Sequence, residues 1–393
     1  GDVFAFDVTE AVKGWRSGEI SNYGIAFKPV PNSQSSLVMF HASESATVSS
    51  RPCLQVSYVN QYGLESYNSY SSHGIGGVAS GNVNLATGNL VMDIPLLTST
   101  NSIMPYGVSL VYDGAKANKA LLYSTLNVPY TKALAPYGFK WSMQQSVIKR
   151  TYTNELQATK NLYIWCDADG TEHHFFEIPN ADGTGSGIYQ DNDGLGLKLQ
   201  ETSAGVTIKS KDKTVYTFSS VAIPSGRGFT GAWVLSSISD KNSNKIIFTY
   251  DSSTLKPISI KFAPKGTSGW EIFRFVYATS SSTVPIATYD VLTGRGVVFA
   301  YSNTYSGSTT SSYTKYLRSA KCVTGSTSWS DSNWKSFSTG DILANLTLTY
   351  NSSAFITQAK DTVSGIGINY AYLSKKILSV TESSSSGSGQ SQI

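Results

Sequence analysis

The densest group of ionisable side chains in this sequence is WCDADGTEHHFF, where Asp167, Asp169, Glu172, His173 and His174 fall close together. Carboxylates beside imidazoles are the residue types that bind a divalent metal or pass protons. The same letters also write a hairpin. Asp169-Gly170 is a dipeptide of two-residue type I′ turns, and alternation along a strand sends His173 and His174 to opposite faces. The hairpin is therefore the expected reading, and a metal or acid/base site the lesser one. A second acidic run, Asp191-Asn192-Asp193-Gly194, holds half of a calcium loop. The further acidic or amide ligand and the distal Glu are missing, so a turn is expected there too.

Other chemistries find little support. The sequence has no Gly-x-Ser-x-Gly elbow, and its four His offer few bases. Cys53, Cys166 and Cys322 are scattered, odd in number and outside any CxxC pattern. They are expected to be buried free thiols, with room for one bridge. Gly226, Gly228 and Gly231 lie in a polar loop and do not open a helix, so they make no phosphate cradle. A hydrolase built on Asp191, Asp193 or Glu172 would need two carboxyl groups about 5 to 10 Å apart in a cleft, which ranks last. No catalytic, cofactor-binding or metal-binding residue is expected. The remaining candidates are aromatic: Trp329 and Trp334 among Ser, Asn and Asp, with Tyr313 and also Tyr305 and Tyr316, have faces that could stack on a sugar.

What would position these residues is a repeating strand unit. DVLTGRGVVFAY (Asp290 to Tyr301) and DTVSGIGINYAY (Asp361 to Tyr372) share one pattern, and DKNSNKIIFTY (Asp240 to Tyr250) is a shorter relative with Asn244 in place of the first Gly. In each, Asp opens a turn through side-chain hydrogen bonds and Gly or Asn supplies positive φ. Period-two alternation follows: Val297, Phe299 and Tyr301 face one way, as do Ile368, Tyr370 and Tyr372. Apolar strands at Trp233 to Ile238 and Leu346 to Ile356 precede two of the turns. Charged residues are only 14 % of the chain while aromatics reach 12 %, with 24 Tyr. That composition suits many short strands joined by polar turns. A net charge of +4, with no Lys/Arg run above two, argues against nucleic acid. No apolar stretch reaches membrane-helix length, so no membrane insertion is expected.

Two resemblances arise from these motifs. Asp7-Val8-Thr9, Trp15 to Gly18, Asn22 to Ile25, Ser43-Glu44 and Arg51 to Tyr58 resemble, in order, the closing portion of the bacterial surface domain named for its DNRLRE motif. Further on, the turn Asn84 to Asn89 framed by Asn82 to Leu85 and Leu90 to Ile94, the strand ending at Asp113-Gly114, the Trp165 to Phe176 hairpin and the Asp240, Asp290 and Asp361 units resemble Rhs/YD-repeat proteins. The family's terminal self-cleaving core is absent, and spacing is irregular, at fifty residues from Asp240 to Asp290 and seventy-one from there to Asp361.

The expected fold is all-β, with antiparallel sheets of repeated β-hairpins forming a YD-repeat-like curved or spiral sheet and a small N-terminal β segment. The expected organisation is residues 1–60 as a partial DNRLRE-like segment and 61–80 as a linker. The repeat region would span 81–380, with an insertion at 303–345, before a flexible Ser/Gly tail at 381–393. The chain starts within what reads as a strand and has no initiator Met, which suggests a piece of a longer secreted or cell-surface protein. The resemblance implies a catalytically silent piece of β-shell that scaffolds or encloses an effector region downstream in the same polypeptide. The alternative is an adhesin or carbohydrate-binding module that grips a surface glycan through its exposed aromatics.

Overall fold

The computed structural model describes residues 6–8, 11–12, 14–15, 20–25, 40–42, 44–47, 51–52, 63–65, 68–117, 134–153, 159–182, 184–223, 226–305, 316–324, 341–384 and 387–392. The chain divides into two compact units: Gly1–Val59 with Thr153–Lys160, and Asn60–Tyr152 with Asn161–Ile393. In the first, residues 11–12 and 14–15 are helical, and Val12 N bonds the Val8 carbonyl at 3.0 Å. Arg51 Nε reaches back to the Ser45 carbonyl at 2.8 Å. Tyr23 to Ile25, the described part of a segment whose sequence reads as a strand from Tyr23 to Phe27, forms no strand, and Gly24 takes φ +84°. Of the strand expected at Leu37 to His41, only 40–41 are described and they are not in a strand; the one expected at Cys53 to Val59 lies outside the described residues.

Apart from a helical turn at Gly114–Ala117, the described part of the second unit is β-structure with antiparallel pairing, as its alternating sequence predicts. Its first sheet is β1 (Tyr70–Ile75), β2 (Ala79–Asn84), β3 (Leu90–Thr98), β4 (Gly107–Asp113) and β5 (Phe139–Trp141), in chain order. β1 and the start of β2 fall inside the stretch read as a linker. With few apolar letters there, alternation is faint, yet Ile75 and Val83 are fully buried.

The next eight strands are β6 (Ser146–Thr153), β7 (Thr159–Cys166), β8 (Glu172–Pro179), β9 (Gly185–Asp191), β10 (Lys198–Thr202), β11 (Gly205–Lys209), β12 (Val215–Ser220) and β13 (Gly231–Ser239). Each pairs with the next, and β13 returns to β6 with Gly231 opposite Lys149 and Val234 opposite Ser146. The ribbon thus closes into a ring. It also continues, because β13 divides one edge. Its first half holds β6, and Ser237 to Ser239 pair with Ile247 to Lys245 of β14 (Lys245–Tyr250). One nine-residue strand is both the seam of the ring and the start of the ribbon beyond it.

From β14 the ribbon runs through β15 (Pro257–Ala263), β16 (Trp270–Val276), β17 (Ala287–Asp290), β18 (Arg295–Ser302), β19 (Tyr316–Thr324) and β20 (Asp341–Tyr350). It ends with β21 (Ile356–Asp361), β22 (Gly367–Leu373), β23 (Lys376–Ser384) and β24 (Gly387–Gln392). Three segments differ from the sequence reading. Leu346 to Ile356 is not one strand. Asn351 breaks it by accepting the amides of Ser353 and Phe355, and Ala354 takes φ +68°. β19, inside the stretch read as an insertion, is a full ladder member between β18 and β20. The Ser/Gly-rich end, read as a flexible tail, contributes β24, paired with β23 from Ser379 to Ser384.

The turns obey the Asp rule with one change. Asp290 accepts the amides of Leu292 and Thr293, and Asp361 those of Val363 and Ser364. Gly294 and Gly365 take the expected positive φ, +67° and +78°. In the shorter unit, however, Ser243 carries φ +69° rather than Asn244. Asn244 is buried and instead bonds Asp240 through its side-chain NH2 (2.8 Å) while accepting Lys265 N (3.2 Å).

The unit's final Tyr does more than pack. Tyr250, Tyr277, Tyr301, Tyr350 and Tyr372 donate their hydroxyls to the carbonyls of Met143, Pro257, Pro285, Leu317 and Ile356, at 2.7 to 3.0 Å. Beside Tyr250, Tyr301, Tyr350 and Tyr372 the pairing slips by a bulge. The residue that each of the first three then faces, Pro257, Leu317 or Ile356, includes an acceptor used by the next tyrosine along. A bulge frees a ladder group and turns the strand, and the phenol from the following hairpin satisfies it. Tyr112 of β4 ties the first sheet to this ladder, donating to the Ala354 carbonyl and accepting Ile356 N, both at 3.3 Å. Trp141 packs edge-on to Phe275 and Phe299, inside one apolar cluster that joins the first sheet to the ribbon. Among the described residues no helix is long and apolar enough to cross a membrane.

Removing one rung leaves a buried carbonyl unpaired, which costs about 1–2 kcal/mol. Tyr301→Phe and Tyr350→Phe should each lower unfolding free energy in urea by that amount, while Tyr305→Phe, at a half-exposed position, should be neutral. Neutrality at Tyr350 would mean that the rungs do not stabilise the ribbon.

Candidate functional site

The two acidic runs of the sequence meet in the ring. The turn between β7 and β8 carries Asp167 and Asp169, β8 begins with Glu172, His173 and His174, and the turn after β9 carries Asp193. The β7–β8 reversal is not the two-residue I′ turn expected at Asp169-Gly170. Only Gly170 has positive φ (+98°), and the loop closes from Asp167 N to the Thr171 carbonyl at 3.0 Å. Asp167 organises it by accepting the amides of Asp169, Gly170 and Thr171 on one oxygen. That use of a carboxylate replaces the backbone signature that Asp-Gly normally provides.

The other Asp167 oxygen lies 3.3 Å from His173 Nε2, and Asp193 holds His173 Nδ1 at 2.7 Å. The imidazole is thus gripped at both nitrogens, with the Trp165 ring 4.9 Å away. Burial alone would lower its pKa, but the hydrogen bonds to Asp167 and Asp193 outweigh that and push it up to about 10. Burial likewise works to raise Asp167, yet the bond from His173 and the nearby Lys140 ammonium hold it below its ordinary value. His173 is therefore an imidazolium with both N–H groups committed. It has no lone pair with which to act as a base at neutral pH.

The remaining candidates are also engaged. Asp191 accepts the amides of Leu195 and Leu197 and so organises its turn. His174 points away from His173, pairs opposite Ile164, and is held below its ordinary pKa by burial. Among the described residues no group of three or more His, Cys, Asp or Glu is arranged to hold a metal ion. Cys166 and Cys322 are free thiols, and burial pushes both up. Cys53 lies outside the described residues.

Sequence reasoning missed the groups that complete the cluster. Lys116 Nζ donates to the Gly170 carbonyl (3.3 Å), and Lys140 Nζ to that of Asp167. Glu65 is 5 % exposed, and burial, followed by the Asp193 charge, pushes its carboxyl up to about 7. Burial and the Asp167 charge push Asp169 up to about 6. No periodicity marks Glu65; a lone acid in a stretch poor in charge was the only available signal. What this arrangement does chemically is clamp: one buried cation locks two turns through opposed carboxylates.

The aromatic candidates Trp329, Trp334 and Tyr313 lie outside the described residues. Tyr316 is a packing residue, 9 % exposed and edge-on to both Tyr137 and Tyr350, whereas Tyr305 is 43 % exposed. The clamp itself predicts a titration curve. A histidine whose folded pKa lies above its ordinary 6.5 stabilises the fold fully below that value, and the contribution fades as pH rises through about 10. The His173 ring resonances should hence stay fixed from pH 5 to 8 in NMR. His173→Ala, by stranding two carboxylates, should cost about 3 kcal/mol or more. A His173 midpoint near 6.5 would refute the clamp.

No known family profile matches the chain, and no curated protein does. Similar solved structures include TcdB2-TccC3, at 12 % identity and a TM-score of 0.32, over 84 % of this chain and 17 % of that one. A Photorhabdus luminescens Tc holotoxin pore gives 11 %, 0.33, 84 % and 17 % for the same quantities. The N-terminal domain of effector protein SpvB from Salmonella typhimurium gives 10 %, 0.34, 68 % and 96 %. The chain thus spans 17 % of the length of the first of these. Likeness at this level assigns no role, which has to come from the chain's own geometry.

Proposed function

We propose that this chain is a non-catalytic structural segment of a secreted or cell-surface Rhs/YD-repeat protein. In this reading its ribbon forms part of a β-shell that scaffolds or encloses a downstream effector region of the same polypeptide. The observation that carries the reading is the divided edge of β13, which closes a ring with β6 and passes the ribbon on to β14. A sheet that closes and still continues is how a strip of hairpins winds into a wall. The ordered motifs from Asn84 to Tyr372 support the same reading, as does the commitment of His173, Asp167, Asp191 and Asp193 to one another and to turn amides. Side chains spent on holding turns are suited to a wall rather than to turnover.

The test uses the full-length parent polypeptide under limited proteolysis. The region downstream of this chain should be cleaved many times more slowly in the intact protein than when expressed alone. The combined Tyr301→Phe and Tyr350→Phe variant should lose much of that protection. Equal cleavage of enclosed and free forms would sink the shell. Glycan binding that disappears with Trp329→Ala or Trp334→Ala would put the adhesin reading in its place.

A further inference from the structure

The segment that leads into β1 lies across the charge cluster of the ring. Gly63 N donates to Asp113 Oδ2 (3.3 Å), Leu64 N to the Thr171 hydroxyl (3.1 Å), and Glu65 N to the Tyr70 hydroxyl (2.9 Å). The approach is close enough to demand glycine at 63. Its φ is +74°, and a Cβ there would lie 2.4 Å from Asp169 Oδ1 and from Thr171 N. Three consecutive amides thus fasten a short strap, one to Thr171 of the β7–β8 turn, one to Asp113 at the end of β4 and one to the nearby Tyr70.

The strap carries a single ionisable group, and it faces inward. Glu65 is 5 % exposed and its Oε1 has no hydrogen-bond partner. The charged groups acting on it are Asp193 after β9, His173 on β8, and Asp167 and Asp169 in the β7–β8 turn. Around these stand Asp113, which accepts Gly63 N and the Asn89 side-chain amide, and the ammonium groups of Lys116 and Lys140. Both lysines donate to backbone carbonyls, and the one imidazolium is already gripped by two aspartates. An ionised Glu65 would therefore sit buried, unpaired, and among three like charges.

We propose that residues 63–65 form a proton-gated strap, closed over the β7–β8 turn while the Glu65 carboxyl carries its proton and released from Thr171 and Asp113 when that carboxyl ionises. The sign comes from linkage. The closed-state value of Glu65, about 7, lies above its ordinary 4.5, so closure takes up a proton. Closure is favoured at low pH and weakens as pH climbs from 4.5 through about 7. Asp169, pushed up to about 6, acts in the same direction. His173 stays charged throughout and contributes no slope. This inference is independent of the shell reading, and either can fail without the other.

Hydrogen exchange on the whole chain, with rates corrected for intrinsic pH dependence, tests it. Protection of a 63–69 peptide should fall roughly tenfold or more between pH 5.5 and 8, while β11 and β12 of the ring hold theirs. Glu65→Gln, which keeps the neutral shape, should stay protected at both pH values. A strap whose protection ignores pH, or a Glu65→Gln chain that opens like wild type, would overturn the proposal. Should the variant disturb the ring, carbon-13 titration of Glu65 in the unmodified chain decides. A midpoint near 7 supports the strap and one near 4.5 refutes it.

Discussion

Tyrosine hydroxyls carried out of water gain most where they find an acceptor, and for Tyr250, Tyr277, Tyr301, Tyr350 and Tyr372 that pairing organises the ribbon. In a regular antiparallel ladder the carbonyls are already spent on neighbouring strands. The bulges beside Tyr250, Tyr301, Tyr350 and Tyr372 release the pairing at the strand end, and Pro257, Leu317 and Ile356 accept the phenols of the next hairpins. Each bond spans one hairpin, so the rungs hold the pitch of the ribbon as well as its local pairing. Bulges also sharpen strand twist, which bends a ribbon that would otherwise stay flat. Curvature and satisfaction of buried groups thus come from the same residue.

The ring depends on this device at its seam. Tyr250 ends β14, the first strand beyond the fork, and its hydroxyl goes back to the Met143 carbonyl just before β6. That bond links the two strands that share the edge of β13. Gln145 serves the same junction, accepting from Leu235 N through its carbonyl and from Trp165 Nε1 through its side chain. Trp165 in turn packs its ring, tilted by 35°, against His173, so the seam and the charge clamp share a side chain. Loss of packing at one would be felt at the other.

Much of this fold could be read in the letters, and the unread part has a physical cause. The twin Asp/Gly units showed their turns and inward faces, because turn chemistry and period-two alternation are local. The role of the final Tyr did not show, because its acceptor lies 16 residues back for Tyr301 and Tyr372 and 33 back for Tyr350. Local signals also misled where side chains replaced backbone conformation: at Asp169-Gly170, where the Asp167 carboxylate shaped a longer loop, and at Asn244, where Ser243 took the strained angle. The site was half legible. Its two acidic runs stood out singly, but their union through His173 needed the β7–β8 and β9–β10 turns to be neighbours. Glu65 came from a segment whose composition looked like a linker.

The two polar systems differ in how they answer to protons, and this divides the molecule. Burial drives the ladder phenols of Tyr277, Tyr301, Tyr350 and Tyr372 upward, so they remain neutral donors across any pH at which the protein would stay folded. A neutral donor facing a carbonyl has nothing to titrate, so the phenol rungs themselves do not respond to pH. The carboxylates around His173 are the opposite case. There, burial moves Glu65 and Asp169 toward neutrality, while His173 and Asp167 are locked in their charged forms. The turn carboxylates of the ribbon, Asp240, Asp251 and Asp361, shift the other way, held below their ordinary values by the side chains and amides they accept, so they answer only to acid. Phenol–carbonyl rungs and a crowded carboxylate thus give two parts of one fold different responses to protons: the first hold their donors neutral, and the second trades its charge for burial as pH falls.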